Sequence, residues 1–287
     1  MRTAKAVLPA LALASGISAA CNGQDAYCSR KYSDITFIGT HNSAFVGELP
    51  TQNQLESVED QLGMGIRFMT TQTHDKDGTI ENCHTSCIEE DAGALVDYLS
   101  TVKSFLDVNA NEVVTLLITN GDGIDINKYN DAYVSSGIDQ YAFTPDGQLG
   151  IDDWPTLQDL ISAGTRLVTF MDYNADTSQV PYILDEFSYF FETPFDPLEA
   201  DLNDCNVDRP GGSGDGLMIL ANHNLNYEVL GISIPDLAHA STTNSVDSIQ
   251  AQVDNCTTLH GRITNVILVD YASVGQVLDA QNQLNAL

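Results

Sequence analysis

The chain has few basic residues for its length. Among 287 residues, 11 are Lys or Arg and 40 are Asp or Glu, which gives a formal net charge of −29 at pH 7. A surface this acidic repels the backbone of nucleic acids, so we expect no DNA or RNA partner. It also weakens electrostatic attraction to anionic membranes. A phosphate group in a substrate would therefore have to be held by a local site.

The chain also lacks an apolar run long enough to cross a bilayer. A short apolar stretch at residues 7–13 follows two basic residues, Arg2 and Lys5, and precedes small residues at 15–20. This order is typical of a secretory signal peptide. We therefore predict a signal peptide over residues 1–20 and a secreted, extracellular protein. Residues 21–287 would form a single domain, which we expect to be monomeric.

Six cysteines fit the oxidising environment of a secreted protein. Six cysteines allow many connectivities, and the sequence alone does not choose among them. Proximity along the chain favours Cys21 with Cys28 and Cys83 with Cys87, which leaves Cys205 with Cys256. A zinc site formed by Cys83, His84 and Cys87 is the alternative interpretation.

Short apolar runs alternate with amphipathic segments along the chain. The predicted strands are 35–38, 66–71, 113–118, 167–171, 187–191, 217–221 and 266–269. The predicted helices are 55–63, 91–108, 157–163, 245–253 and 274–284. This alternation predicts an α/β fold with a parallel sheet. Because no glycine-rich dinucleotide or phosphate loop follows the first strand, we favour a single TIM-type (β/α) barrel, regular or irregular, over an open sheet.

Polar residues follow six of the predicted strands, and three of these strand ends carry a histidine. The carboxyl ends of parallel barrel strands open on one face, so these side chains should line one mouth. Histidines exchange protons near neutral pH, and no serine nucleophile in a glycine-flanked turn is visible. This set suits transfer of a phosphoryl group to a hydroxyl or to water. The candidate substrate-binding residues are Asn42, Gln72, Asn120, Asp172, Asn222 and His223.

Three segments resemble, in order and spacing, the phosphatidylinositol-specific phospholipase C X-domain family. They are Phe-Ile-Gly-Thr-His-Asn-Ser at 37–43, Gly-Ile-Arg-Phe at 65–68 with Cys-His at 83–84, and Val-Ile-Leu-Val-Asp-Tyr at 266–271. The chain most resembles secreted fungal phospholipase-C-like phosphodiesterases, whose pattern includes Cys-His-Thr-Ser-Cys and Asn-His-Asn-Leu-Asn, found here at 83–87 and 222–226. The resemblance implies a barrel that covers nearly the whole mature chain.

The resemblance also implies catalytic roles for three residues. His41 would be the general base that deprotonates the inositol 2-hydroxyl, and His84 the general acid that protonates the leaving diacylglycerol oxygen. Asp270 would accept a hydrogen bond from His41 and orient its ring. Asn42 stands where metal-dependent members place a calcium ligand.

The sequence departs from the family at the second strand. Calcium-dependent members carry Glu and Asp at the positions of Thr70 and Gln72, and metal-independent bacterial members carry Asp and Arg there. A hard divalent cation would lack its oxygen ligands here, so we expect no metal site and no cofactor, with a divalent cation left open. Without the arginine, His84, Gln72, backbone amides or a cation from elsewhere would have to hold the phosphate.

The leading prediction is a secreted phosphoric diester hydrolase that acts on a phospholipid or a glycerophosphodiester, in transient contact with a membrane surface. A metal-dependent enzyme of the glycerophosphodiesterase or sphingomyelinase D kind is one alternative. A secreted binding protein that retains the barrel without catalysis is another.

Overall fold

The computed structural model describes residues 20–199 and 202–287. The proposed signal peptide, residues 1–20, lies outside the described residues apart from Ala20. The strands are β1 Phe37–Thr40, β2 Phe68–Lys76, β3 Thr79–Cys83, β4 Asp91–Ala94, β5 Val114–Asn120, β6 Leu167–Met171, β7 Ile183–Asp185, β8 Phe190–Glu192, β9 Met218–Asn222, β10 Asn226–Val229, β11 Ile232–Pro235 and β12 Val266–Val269. The α-helices are α1 Val58–Met64, α2 Leu95–Val108, α3 Ile126–Ser136, α4 Leu157–Ala163, α5 Ala240–Thr243, α6 Val246–His260 and α7 Val277–Leu284.

Eight parallel strands follow one another around a curled sheet in chain order, as in a (β/α) barrel. The order runs β7, β6, β5, β2, β1, β12, β9, β8, so the first strand pairs with both the second and the last. Within the described part of the chain no ladder joins β7 to β8, and the barrel is open at that seam. The prediction of a single (β/α) barrel, regular or irregular, is confirmed, and the barrel is of the irregular kind.

Both faces of the sheet are buried, which explains why its strands read as continuous apolar runs. In β5, Leu116 and Ile118 pack into a cluster with residues of α2 and α3. The intervening Leu117 faces a second cluster with aromatic residues of neighbouring strands, including Phe68 and Phe170. Alternate residues therefore serve the helix side and the barrel interior, and neither set contacts water.

The structure differs from the sequence prediction at several elements. The helix predicted over 91–108 begins only at Leu95, because Asp91–Ala94 pairs with β3 and Gly93 has a φ of +90° that a helix does not accommodate. Helix α3 was not predicted, since its buried residues are spread through a polar segment. Strand β7 and the hairpin of β10 and β11 are also additional. The segment 187–191 contains a 3-10 turn before β8 begins at Phe190.

The cysteines form the three pairs that proximity favoured. The bridge between Cys83 and Cys87 encloses His84 in a small loop, and both sulfurs are used in the disulfide rather than as zinc ligands. In the part of the chain that the structure describes, no helix combines the length and the hydrophobicity needed to cross a bilayer.

Candidate active site

His41 lies directly after β1 and is held by Asp270, which lies directly after the neighbouring β12. The His41 Nδ1–H donates to Asp270 Oδ1 at 2.9 Å, and the His41 side chain is 19% exposed. The backbone N–H of His41 donates to the Val269 carbonyl, which continues the ladder between the two strands. Because Nδ1 is engaged, Nε2 is the ring nitrogen that can exchange a proton with a substrate.

His84 lies in the disulfide loop after β3, and its ring is fixed by two contacts. Its Nδ1–H donates to the Thr51 carbonyl at 2.6 Å, and the ring stacks on Phe45 with centroids 5.1 Å apart. The remaining nitrogen, Nε2, accepts a hydrogen bond from Asn42 Nδ2 at 3.3 Å. His84 is therefore presented as a neutral ring whose Nε2 can take up a proton.

Two buried asparagines connect the histidines. Asn42 Nδ2 contacts both His84 Nε2 and Asn53 Oδ1, and Asn53 Nδ2 donates to Asp270 Oδ1 at 3.0 Å. The same Asp270 oxygen accepts from His41. The two imidazoles, which come from distant parts of the chain, thus belong to one hydrogen-bonded group at the carboxyl ends of the strands.

The surroundings shift the two histidines in opposite directions. For His41, burial favours the neutral ring, but the charge and hydrogen bond of Asp270, helped by Asp196 and Glu192, outweigh burial and raise its pKa above the ordinary value. For His84, burial is the largest effect and lowers the pKa, and the neighbouring charge of His41 acts in the same direction. The resting site therefore favours a charged His41 and a neutral His84.

Thr70 and Gln72, the two β2 residues at which the sequence departs from the family, accept hydrogen bonds from neighbouring loops. Thr70 Oγ1 accepts from the backbone N–H of Asn42 at 2.9 Å. Gln72 Oε1 accepts from the backbone N–H of Thr85 at 3.1 Å, next to His84. Gln72 thus lies beside the site and positions the disulfide loop.

Asp172, which follows β6, binds the backbone of Asn120 at the end of β5. The backbone N–H of Asn120 donates to Asp172 Oδ1, and the Asn120 side chain is occupied by Ile124 and by the Tyr173 carbonyl. Asp172 Oδ2 is buried and has no partner among the described residues. Burial raises the pKa of Asp172 to about 6.

Asn222 and His223 point in different directions from the end of β9. Asn222 Nδ2 donates to the Thr193 carbonyl at 2.8 Å and lies 3.4 Å from Glu192 Oε2. His223 is fully buried, and its ring nitrogens contact Gln252 Oε1 and the Thr243 carbonyl, on the side of α5 and α6. The structure therefore places the His223 ring away from His41 and His84.

Sequence reasoning missed several residues of the mouth. Asn53 lies in a long loop after β1 with no strand end to mark it, and Asn224, whose amide nitrogen is 3.4 Å from His41 Nδ1, stands in the quoted Asn-His-Asn motif without having been selected. Three further charged residues were not foreseen: Glu186, Glu192 and Arg209. The described residues contain no group of three or more His, Cys, Asp or Glu side chains placed to hold a metal ion.

Comparison with known proteins identifies relatives along nearly the whole chain. The PI-PLC X 1 family model matches residues 27–285. PI-PLC X domain-containing protein 1 of Arthroderma benhamiae is 51% identical over 273 residues, which cover 93% of this chain and 90% of that protein. A protein of the same fungus named as an uncharacterized secreted protein is 41% identical over 271 residues. That match covers 90% of this chain but only 61% of the relative, so the chain spans less than two thirds of the second relative's length.

Solved structures with the same fold are phosphatidylinositol-specific phospholipases C from bacteria. A mutant of the Staphylococcus aureus protein aligns with a TM-score of 0.63 over 90% of this chain and 94% of that one, at 14% identity. The Listeria monocytogenes protein aligns with a TM-score of 0.58 over 91% and 95%, also at 14% identity. At this identity the likeness concerns the fold alone. The family match and the two fungal relatives carry the assignment further, and the chain belongs to the PI-PLC X domain family.

Proposed function

We propose that the protein is a secreted phosphodiesterase whose single domain, residues 21–287, cleaves a phosphodiester by proton transfer between His41 and His84. The observation that carries this proposal is the hydrogen-bonded group that joins the two imidazoles through Asn42, Asn53 and Asp270. The secreted name of one fungal relative and the three disulfides support the extracellular location. The substrate class is a phospholipid or a glycerophosphodiester.

In this reaction His41 Nε2 removes the proton from the attacking hydroxyl, which belongs to the head group or to water. The oxygen of that hydroxyl forms a new bond to phosphorus, and the bond to the leaving alcohol oxygen breaks. His84 Nε2 delivers a proton to the leaving oxygen. Asp270 keeps the His41 ring in one tautomer and stabilises the imidazolium that forms.

The protonation states of His41 and His84 before substrate binds affect proton transfer in this direction, from the attacking hydroxyl to His41 and from His84 to the leaving oxygen. His41 favours the charged form and His84 the neutral form before substrate binds. A phosphodiester anion bound about 4 Å from His84 would stabilise its charged form by about 4 kcal/mol at an effective dielectric constant near 20. The substrate anion thus favours the charged His84 that acts as the acid, whereas His41 must first release its proton to act as the base, so the rate should show a bell-shaped dependence on pH.

The test is turnover of soluble glycerophosphodiesters and of phospholipids, with and without a chelator, by the wild type and by His41→Ala and His84→Ala. His74→Gln is the matched control, because His74 is a histidine paired with an aspartate, Asp122, outside the linked group. We expect each alanine variant to lose at least about 10²-fold in kcat, with the control unchanged. Turnover that persists in both alanine variants would refute the mechanism, and turnover lost with chelator would favour the metal-dependent alternative.

We further propose that the hairpin of β10 and β11 brings the mouth to a lipid surface. Its turn exposes Leu230 at 99% and Ile232 at 65%, and Leu230 has a φ of +55°, which is unfavourable for a leucine. The hairpin follows β9 directly, and the backbone N–H of Asn226 binds the Pro197 carbonyl, next to the exposed Phe195. Apolar side chains around a polar mouth are typical of interfacial contact.

Charge indicates which lipid surface fits. The formal charge is −29, and the hairpin itself carries Glu228 and no basic residue, so a zwitterionic surface is favoured over an anionic one. Burying Leu230 and Ile232 is worth roughly 3–6 kcal/mol together. We expect Leu230→Asn with Ile232→Thr to abolish sedimentation with phosphatidylcholine vesicles while turnover of a soluble diester persists. Unchanged vesicle binding by this double variant would contradict the assignment.

A further inference from the structure

The sequence departs from the family at Thr70 and Gln72 of β2, so the proposed reaction lacks an evident cation there to bind the substrate phosphate. A phosphodiester carries a negative charge that grows on its oxygens as the bond to the leaving group breaks, and donors aimed at these oxygens are a large part of catalysis. The chain has few basic residues, and neither Thr70 nor Gln72 carries a charge. A cation brought by another element would fill this requirement.

We propose that Arg209, in the segment between β8 and β9, is the residue that binds the phosphate of the substrate. This inference rests on the proposed function, because it assigns a further residue to the same reaction. Arg209 is about one third exposed, and its guanidinium pairs with the buried Glu192 at the end of β8. The guanidinium also lies over the Phe195 ring, 5.2 Å from the centroid.

Arg209 lies at the same end of the sheet as the histidines, because its partner Glu192 ends β8 and is 3.4 Å from the amide of Asn222 at the end of the neighbouring β9. Its partner Glu192 is close enough to His41 to raise the pKa of that histidine. Phe195, on which the guanidinium stacks, is followed by Asp196, whose charge raises the pKa of both His41 and His84. The guanidinium is therefore flanked by two residues that act electrostatically on the pair.

The hydrogen bonds of Arg209 leave it able to take a second anion. Its Nε–H is buried and has no partner among the described residues. A guanidinium presents several donors in one plane and binds phosphate oxygens in pairs, which an amide such as Gln72 does not. Because the Nε–H is buried, the terminal nitrogens of this partly exposed side chain would donate to a diester while part of the contact with Glu192 is exchanged.

The surroundings of Glu192 reduce the cost of that exchange. The buried Glu186 lies next to Glu192, close enough for a hydrogen bond between the two carboxyls when one of them is protonated. Burial, followed by the charge of Glu192, raises the pKa of Glu186 well above the ordinary value. Protonation of Glu186 would leave a single negative charge on the pair. The amide of Asn222 lies 3.4 Å from Glu192 Oε2.

The experiment compares Arg209→Gln, Arg209→Lys and Glu192→Gln by calorimetric binding of inorganic phosphate and by turnover of a soluble diester. Arg262→Gln is the matched control, since Arg262 also lies over a phenylalanine ring but precedes β12 at the opposite end of the strands. We expect Arg209→Gln to weaken phosphate binding at least about tenfold and to lower kcat by roughly 10²–10³-fold. Arg209→Lys should recover part of both.

The Glu192→Gln variant distinguishes phosphate binding by Arg209 from a purely structural role of the ion pair between Arg209 and Glu192. If Arg209 binds the phosphate, removing its resting partner frees the guanidinium, and phosphate should bind more tightly than in the wild type. Equal weakening in Arg209→Gln and Glu192→Gln would mean that the ion pair only supports the fold, and would overturn the proposal. Phosphate binding that is absent from the wild type, or unaffected by Arg209→Gln, would overturn it as well.

The binding measurement keeps this inference apart from the proposed reaction. If the wild type turns over no diester but binds phosphate through Arg209, the proposed function fails and the assignment of Arg209 as an anion-binding residue stands. If turnover depends on His41 and His84 but not on Arg209, the reverse holds.

Discussion

The pairing of His41 with Asp270 predicts a specific dependence of stability on pH. The pKa of His41 is raised in the folded protein, because the charge of Asp270 outweighs burial. A raised folded pKa stabilises the protein fully below the unfolded value, near 6.5, and this contribution is lost as the pH rises through the folded pKa. Asp270→Asn removes the charge but keeps the side chain's shape, so burial is then opposed only by the charges of Asp196 and Glu192, and the pKa of His41 falls.

The magnitude follows from the geometry. Unit charges 4 Å apart attract by about 4 kcal/mol at an effective dielectric constant of 20, and the cost of burying the ring offsets part of that energy. We expect a net pH-dependent contribution of about 2 kcal/mol in the wild type. In Asp270→Asn this contribution should shrink, so that the folded state loses less stability as the pH rises through the range in which His41 titrates.

The assay is urea unfolding of both proteins near pH 5.5 and near pH 8.5. The change in unfolding free energy between the two pH values is compared between variant and wild type, so that contributions from other titrating groups cancel. Asp122→Asn, which removes the aspartate beside His74, is the control and should leave the His41 contribution intact. Equal pH dependence in the wild type and in Asp270→Asn would refute the account of the pair.

Three further predictions concern residues around the site. Burial raises the pKa of Asp172 to about 6, so the ionised carboxylate destabilises the folded wild type above that pH. We therefore expect the gain in unfolding free energy of Asp172→Asn over the wild type to be about 2 kcal/mol larger above pH 6 than at pH 4. Urea titrations of both proteins at the two pH values measure this difference. His223→Ala should lower the unfolding free energy by about 3 kcal/mol, since it leaves buried partners unpaired, and a melting-temperature change of less than a degree would contradict this. Cys83→Ser with Cys87→Ser should lower kcat about tenfold or more, because the loop that holds His84 loses its disulfide. The far-ultraviolet circular dichroism should be preserved. Full activity in this variant would show that the disulfide is not needed to position His84.

Much of the fold could be predicted from the sequence because burial on both faces leaves a direct trace in composition. The strands predicted at 167–171 and 266–269 match β6 and β12 residue for residue, and the helix predicted at 157–163 matches α4. The parts that were missed have weak local signals. Strand β4 depends on pairing with β3, and α3 buries only one narrow side of a polar segment.

Sequence reasoning could identify a residue of the candidate site only where the residue's position at a strand end also determined the direction of its side chain. Side chains alternate across a strand, so neighbouring residues at a strand end face opposite sides. Asn222 and Asn224 therefore contact residues of the mouth, whereas His223 between them turns toward α5 and α6. A string of letters that reads Asn-His-Asn does not reveal which of the three faces inward.

The sequence by itself predicted a (β/α) barrel, favoured disulfide pairs by proximity without fixing them, and identified the segments that carry His41, His84 and Asp270. Only the tertiary structure decided which polar residues join them. It brought Asn53 between the histidines and placed Arg209 beside Glu192, at sequence separations of 217 from Asp270 and 17 from Glu192. Local patterns encode burial and strand ends, whereas contacts between loops depend on how the curled sheet aligns those ends in space.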